Sequence, residues 1–557
     1  MRRLATPALV FVAACYEGLA PTEIGVDATS GDPGTSGVHG DGTSEGSTGD
    51  ALGCTPDAGP MVVRRLTRFE YDNTVRDLLG TSLRPAQDFA PDPVWLGFDN
   101  NGSVATVGDA IAEQYLHAAE ALAADAIGRL PELLPCDPAL ADDACIDAFV
   151  AAFVRKAWRR EPTAQQLAAL RAVYDAGGGL EHGIGMLIET VLQSPRFLYR
   201  FELGRDELGD GLARLDGHEI ASRLSYFVWG SLPDDALLDA AAAGELEARD
   251  AVMAHAERML DDPRAEDGVV HLFEQVLGLQ ALDGIAKDPA VFPAWSDAVR
   301  DSMHGETRRF VAEAVLHDDG TLDGLVNARF TFADATLAEY YGLAQALGPE
   351  LERVELDDDD HRGGLLRLGA LSAALGKFGA TAPVLRGKFV RQQLLCESLP
   401  PPPDDVDFEP PDIDPDATAR ERYEQHSIDA QCSGCHVRMD PIGFGFEHYD
   451  GAGAWRELEH GLPIDDRGTI VGLDARGDVH FTGVDGLADE LLASGRLHDC
   501  VALHSFRYAL GRAETLQDEC TLDELRASFR AHGDIRRLVV EIVGSEAFRT
   551  VRPAEAP

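Results

Sequence analysis

The sequence predicts a mainly α chain of several helical modules in tandem, with few short strands. Three observations carry this. Apolar residues recur at helical spacing through most of the chain from residue 61 onward, helix-start and helix-stop residues bracket those runs, and strand signals are sparse, gathering between Trp455 and Phe481. "TRFEYDNTVRDLLG" opens on a threonine cap with Glu70 at capping-box spacing, carries Phe69, Val75, Leu78 and Leu79 on one side, and stops at Gly80. "EPTAQQLAALRAVYDAGGG" and "GIGMLIETVLQSPRFLYRFELG" read as a helical pair broken by glycines and by Pro195. "DGHEIASRLSYFVWGSLPDDALLDAAAAGEL" reads as two helices about Pro233, followed by helical runs at "DAVMAHAERMLDDP" and "SMHGETRRFVAEAVLHDD". The run Asp357 to Asp360 reads as an exposed charged turn.

The first fifteen residues, "MRRLATPALVFVAAC", have two arginines, an apolar run and small residues, the layout of an export signal. Val12-Ala13-Ala14-Cys15 resembles the bacterial lipoprotein signal box, which makes Cys15 the expected lipidated residue. Tyr16 after it, in place of aspartate, favours the outer membrane. The expected location is the cell envelope, as an outer-membrane lipoprotein facing the periplasm or the cell surface, with the lipid as the membrane attachment. Residues 16–60 are rich in Gly, Ser, Thr and Asp and are expected to form a tether. The tether contains Gly42-Thr43-Ser44-Glu45-Gly46, a formal nucleophile elbow without the strand and helix that such an elbow needs.

The 557 residues carry a net charge of −48, and only four of 48 basic residues are lysines. Such a surface repels phosphate backbones, which excludes nucleic acid as a partner. Nine cysteines in an exported chain imply bridges or a cofactor. Cys136 with Cys145 and Cys500 with Cys520 are near in sequence and are the expected bridges, leaving Cys54 with Cys396.

"QCSGCHVRMDPIGFGFEHYDGAGAWR" (431–456) holds the pattern C-x-x-C-H. Two thiols one helical turn apart can add to the two vinyl groups of a haem while the adjoining imidazole binds its iron. Cys432 and Cys435 are thus the expected thioether anchors of one covalent haem c, and His436 the proximal iron ligand. A helix from Thr418 to Gln431 would deliver the motif, Pro441 would end the haem helix and Gly443 would permit a tight bend. A zinc site would need a second pair of ligands, a thioredoxin-type pair would need an α/β unit, and a bridge between Cys432 and Cys435 would close a small strained ring. The distal ligand is open in this reading. Met439 lies only three residues past His436, on the proximal side. Met186, Met253, Met303, His426, His448, His460, His480, His498 and His504 are the remaining candidates. Asp412, Asp414 and Asp416, in the proline-rich segment 399–416, lack the glycine and closing glutamate of a calcium loop.

Taken together, "RRLTRFEYDNTVRDLLG", "AFVRKAWRREPTAQQLAALRAVY" with "LQSPRFLYRFE", "LDGHEIASRLSYFVWGSLPDDALLDAAAAGEL", "HRGGLLRLGALSAALGKFGATAPVLRGKFVRQQLLCESLPPPP" with the haem-motif segment, and "FTGVDGLADELL" with "HDCVALHSFRYALGRAE" occur in one order. In that order they resemble the five modules of the multi-module planctomycete-type cytochrome family, in particular its myxobacterial-type lipoprotein members. The resemblance implies an exported c-type cytochrome with a cytochrome c-like haem module. "GKFGATAPV" departs from many relatives, which puts in doubt any pocket specificity inferred from them.

The expected organisation is a signal peptide with its lipobox cysteine at 1–15, a linker at 16–60, and helical modules at 61–130, 131–205 and 206–345. The helical part of the haem module follows at 346–398, an extended linker at 399–416, the haem-binding segment at 417–470 and a C-terminal helical module at 471–552. The leading functional expectation is a monohaem c-type lipoprotein that transfers electrons to or from a redox partner protein at the envelope. A haem-dependent oxidoreductase or peroxidase, which would need an open distal site, is the second reading. A surface binding or scaffold lipoprotein is the third, because five modules are more chain than an electron carrier needs.

Overall fold

Thr67 accepts a hydrogen bond from the Glu70 amide while the Glu70 carboxylate accepts one from the Thr67 amide, so the first long helix, Arg68–Leu79, starts as its sequence predicts. Gly80, in the left-handed region at φ 64°, ends it. The computed structural model describes residues 57–102, 109–209, 211–399, 417–426 and 430–553. They are mainly helical, at 59% of the chain, and the strands form only small sheets of two or three members. Arg467–Asp474 and Gly477–Thr482 are the longest strands and pair as a hairpin, inside the segment where strand signals gather. Among the described residues no helix is long and apolar enough to cross a membrane.

Two hydrophobic cores organise the described chain. The first joins Arg68–Leu79, Asp109–Ile127, Asp143–Ala157 and Leu180–Leu192 through Tyr71, Leu122, Phe149, Ile188 and Phe197. Cys136 and Cys145 are bridged as predicted, their Cα atoms 6.1 Å apart. The second core runs from Phe98 to Val551 and takes in Trp229, Phe310, Leu371, Phe506 and Phe548, so apolar residues from the later modules are shared in one interior. The helix Gly217–Val228 touches both cores: Tyr226 belongs to the first and Leu224 and Phe227 to the second. Asp235–Ala242 follows it after Pro233, as expected. Near the C-terminus, Thr550 and Val551 pair with Arg214 and Ala213, and Arg552 bridges to Pro60. Asp357 caps the short turn Asp358–Asp360.

The predicted pairing of Cys500 with Cys520 is corrected. Cys500 is bridged to Cys396, across 104 residues, with Cα atoms 5.3 Å apart. Cys396 follows the π-turn Val390–Leu394, which packs on the helix Arg496–Leu510 where Cys500 sits, whereas Cys520 belongs to the next helix, Glu519–His532. That bridge also removes the expected Cys54–Cys396 pair; Cys520 is itself disulfide-bonded, and Cys15 and Cys54 lie outside the described residues.

His504 packs behind this bridge, 3.4 Å from the Cys396 sulfur, and its Nε2 donates to the Gln393 carbonyl at 3.0 Å. Burial pushes its pKa down from 6.5 to about 4. Between those two values the folded chain keeps the ring neutral while the unfolded chain protonates it, so stability is lost as pH falls through the window. Urea unfolding at pH 6.5 and 4.5 should show a loss of about 2 kcal/mol from this group. His504→Gln should flatten that part of the acid limb.

Candidate functional site

The C-x-x-C-H motif rides on a helix of its own, Ala430–Gly443. A preceding helix, Ala419–His426, accounts for only part of the predicted Thr418–Gln431 element, and residues 427–429 lie outside the described residues. Within Ala430–Gly443, positions 432, 435 and 436 stand at i, i+3 and i+4, which places them on one helical face. The side chains of Cys432, Cys435 and His426 lie outside what the structure describes.

His436 is buried, and its Nδ1 lies 2.9 and 3.1 Å from the two carboxylate oxygens of Asp440, itself only 2% exposed. The hydrogen bond that Nδ1 donates to the Asp440 carboxylate raises the imidazole pKa against the opposing effect of burial. A ring whose Nδ1 proton is held by a carboxylate is fixed in orientation and in tautomer, with Nε2 as its basic nitrogen. Asp440 is not among the residues singled out from the sequence, although its i+4 spacing from His436 is the signal for this role. Beside the motif, Val437 is half exposed and a Cβ built at Gly434 would meet nothing within 4 Å among the described residues.

Pro441 does not end the helix as predicted, and Gly443 does not supply a bend. Pro441 lies inside the helix, and Gly443 keeps helical angles (φ −64°, ψ −30°) before a 3-10 turn at Phe444–Phe446. Gly443 is required for a different reason. A Cβ there would stand 1.9 Å from the Pro383 carbonyl oxygen, and one at Gly387 would stand 1.9 Å from the Met439 carbonyl oxygen. Pro383–Phe389 therefore crosses the motif helix at backbone contact, in an antiparallel register of 387 against 439 and 383 against 443. This close packing overrides the local tendency of proline to break the helix.

Two buried arginines fix the surrounding frame. Arg386 donates to the Phe446 carbonyl (2.9 Å), to Glu447 (3.0 Å) and to the Asp450 carbonyl (2.8 Å). Glu447 also accepts from Thr381 (2.8 Å) and Arg456 (3.1 Å). Burial raises the pKa of Glu447 and lowers that of Arg386, while each charge favours the ionised form of the other. Arg391 donates to the Arg438 carbonyl on the motif helix (3.1 Å), to the Val471 carbonyl on the hairpin (2.8 Å) and to Glu397. Glu397 also holds Arg438 and Arg496. The segment 376–384 supplies Thr381 to this frame and reaches the helix before the motif through Lys377 and Tyr423, 3.2 Å apart.

The distal candidates are dispersed. Met303 lies in the second core, with Met253 packed against it and the buried His504 ring edge-on to Phe98 of the same core, and Met186 sits on Leu180–Leu192. His448 holds the Arg456 carbonyl through Nδ1 at 2.8 Å and stacks on Trp455, whose other neighbour is His361; these three rings line a cavity of about 460 Å3. His460 is exposed, His480 pairs with Thr469 on the outer face of the hairpin, and His498 meets the ring of Phe529. Met439 is buried on the motif helix itself. None is thereby assigned as a distal ligand.

A mainly α chain of tandem modules, one of them presenting C-x-x-C-H on a braced helix, is thus defined. Five family models match it in succession, each described as a protein of unknown function: DUF1587 over 64–128, DUF1595 over 145–202, DUF1592 over 215–343, DUF1588 over 362–459 and DUF1585 over 478–548. These are planctomycete-type modules of cytochrome-associated families, here in tandem, and the motif falls within the fourth. No curated protein and no solved structure matches the chain.

Proposed function

We propose that the chain is an exported c-type cytochrome, tethered to the cell envelope through a lipid on Cys15, with one haem c attached at Cys432 and Cys435 and His436 as its proximal ligand. The observation that carries this reading is the Asp440 carboxylate on the Nδ1 of His436 (2.9 Å), at the end of a C-x-x-C-H run placed on one helical face. When bound, haem c supplies a reversible one-electron iron couple. The chain's own residues hold the imidazole at Nδ1 and lock the helix against Pro383–Phe389, and beside the motif Val437 is half exposed and nothing among the described residues stands within 4 Å of a Cβ built at Gly434. Electron transfer with a redox partner protein is the activity this arrangement supports best.

The visible spectrum of the chain, matured in a host with a haem-attachment system and then exposed to carbon monoxide and cyanide, tests the reading. A low-spin spectrum unchanged by either ligand is the expected result. A high-spin, ligand-binding spectrum would shift the assignment to peroxidase-type chemistry, and a colourless protein would remove the redox role.

A further inference from the structure

Two contiguous cavities, of about 560 and 460 Å3, lie far in sequence from the haem motif. They share Phe69, Asp72, Arg84, His271, Gln280 and Asp283, so together they form one elongated trough. Its walls come from the first and third family matches, 64–128 and 215–343, and sites for ligands form preferentially at such junctions.

The lining is dense in charge but balanced in sign. Arg76 pairs with Asp267 at 2.8 Å, Arg308 with Asp267 at 3.3 Å and Glu274 at 3.6 Å, and His304 with Asp283 at 3.0 Å. A ligand of one sign would meet the opposite sign's partner at every contact and would have to break existing pairs. An apolar ligand would find few walls and would strip water from these charges. A hydroxyl group both donates and accepts, so neighbouring hydroxyls can accept a hydrogen bond from a guanidinium and donate one to the carboxylate beside it without disturbing the pair. One donor is already placed for this: Asn73 lines the larger cavity, is 3% exposed, and its Nδ2 has no hydrogen-bond partner among the described residues.

A second observation points the same way. Trp95 is the exposed one of the chain's five tryptophans, at 51%. It sits on a tight turn closed by reciprocal hydrogen bonds with Phe98 (2.9 and 3.1 Å), and Phe98 is anchored in the second core. The residue before it, Val94, lines the outer cavity. Trp95 lines neither cavity itself, but its exposed indole, one residue from the lining Val94, offers the apolar face on which the C–H side of a sugar ring packs.

We infer that the trough between the first and third modules binds a neutral oligosaccharide, its hydroxyls taken by the paired arginines and carboxylates and one ring laid on Trp95. The full chain, titrated calorimetrically with cellohexaose, xylohexaose, laminarihexaose and mannohexaose, should show saturable binding of at least one of them, and none of the anionic hexagalacturonate. Trp95→Ala and Asp283→Ala alter exposed side chains and should leave the melting temperature unchanged while each weakens that binding tenfold or more. No binding of any neutral probe, binding of hexagalacturonate alone, or binding untouched by both variants would overturn the inference. Haem content does not enter the readout, so this result and the redox result stand separately.

Discussion

Gly387→Ala is expected to destabilise the chain by about 3 kcal/mol or more, at the upper end of what a single added methyl costs in a packed interior. The added carbon would stand 1.9 Å from the Met439 carbonyl oxygen. Backbone cannot rotate aside as a side-chain tip can, so the helices Pro383–Phe389 and Ala430–Gly443 must move apart. That separation would pull Arg391 from the Arg438 carbonyl and loosen the braced face on which His436 sits. Gly486→Ala is the matched control. It too lies within a helix, Gly483–Ala493, but its new carbon would make only ordinary contact, 3.4 Å from the Phe481 side chain. There the lower chain entropy of alanine should leave stability unchanged or raise it by about 0.5–1 kcal/mol. Urea unfolding of the two variants separates steric exclusion from a general sensitivity to losing glycine.

Glu447→Ala is expected to cost a similar amount, about 3–5 kcal/mol, through electrostatics rather than sterics. Arg386 is fully buried and Glu447 nearly so. Removing the carboxylate takes from a buried guanidinium its ion-pair partner, and Thr381 loses its acceptor as well. Replacing both partners, Arg386→Met with Glu447→Leu, removes the two charges together and should destabilise less than Glu447→Ala alone. If the double variant is instead the sum of its single losses, the pair is not coupled and the frame around the motif owes its stability to other contacts.

The parts of this structure legible in the sequence are those set by local rules. Thr67, Glu70 and Gly80 mark the ends of one helix because capping depends on residues three or four apart. The helical class follows from periodicity, and the Cys136–Cys145 bridge from a loop of nine residues. What the sequence misplaced depends on partners distant along the chain. Pro441 breaks a helix by local rules, but the crossing with Pro383–Phe389 holds it inside one. Gly443 was read for its conformational freedom, yet its φ is ordinary and the constraint on it is a carbonyl sixty residues away in sequence. Cys500 pairs across 104 residues because a π-turn delivers Cys396 to its helix. The trough was invisible for the same reason, since Phe69 and Asp72 meet Asp267 and Asp283 only through tertiary packing. Asp440 is the one feature that a helical wheel would have revealed.

The central claim is a covalent bond between this chain and iron porphyrin, and the intact mass of the protein matured with a haem-attachment system measures it directly. The account predicts a gain of one haem over the polypeptide, lost when both Cys432→Ala and Cys435→Ala are introduced. A mass equal to the bare polypeptide, or a gain that survives the double substitution, would contradict it.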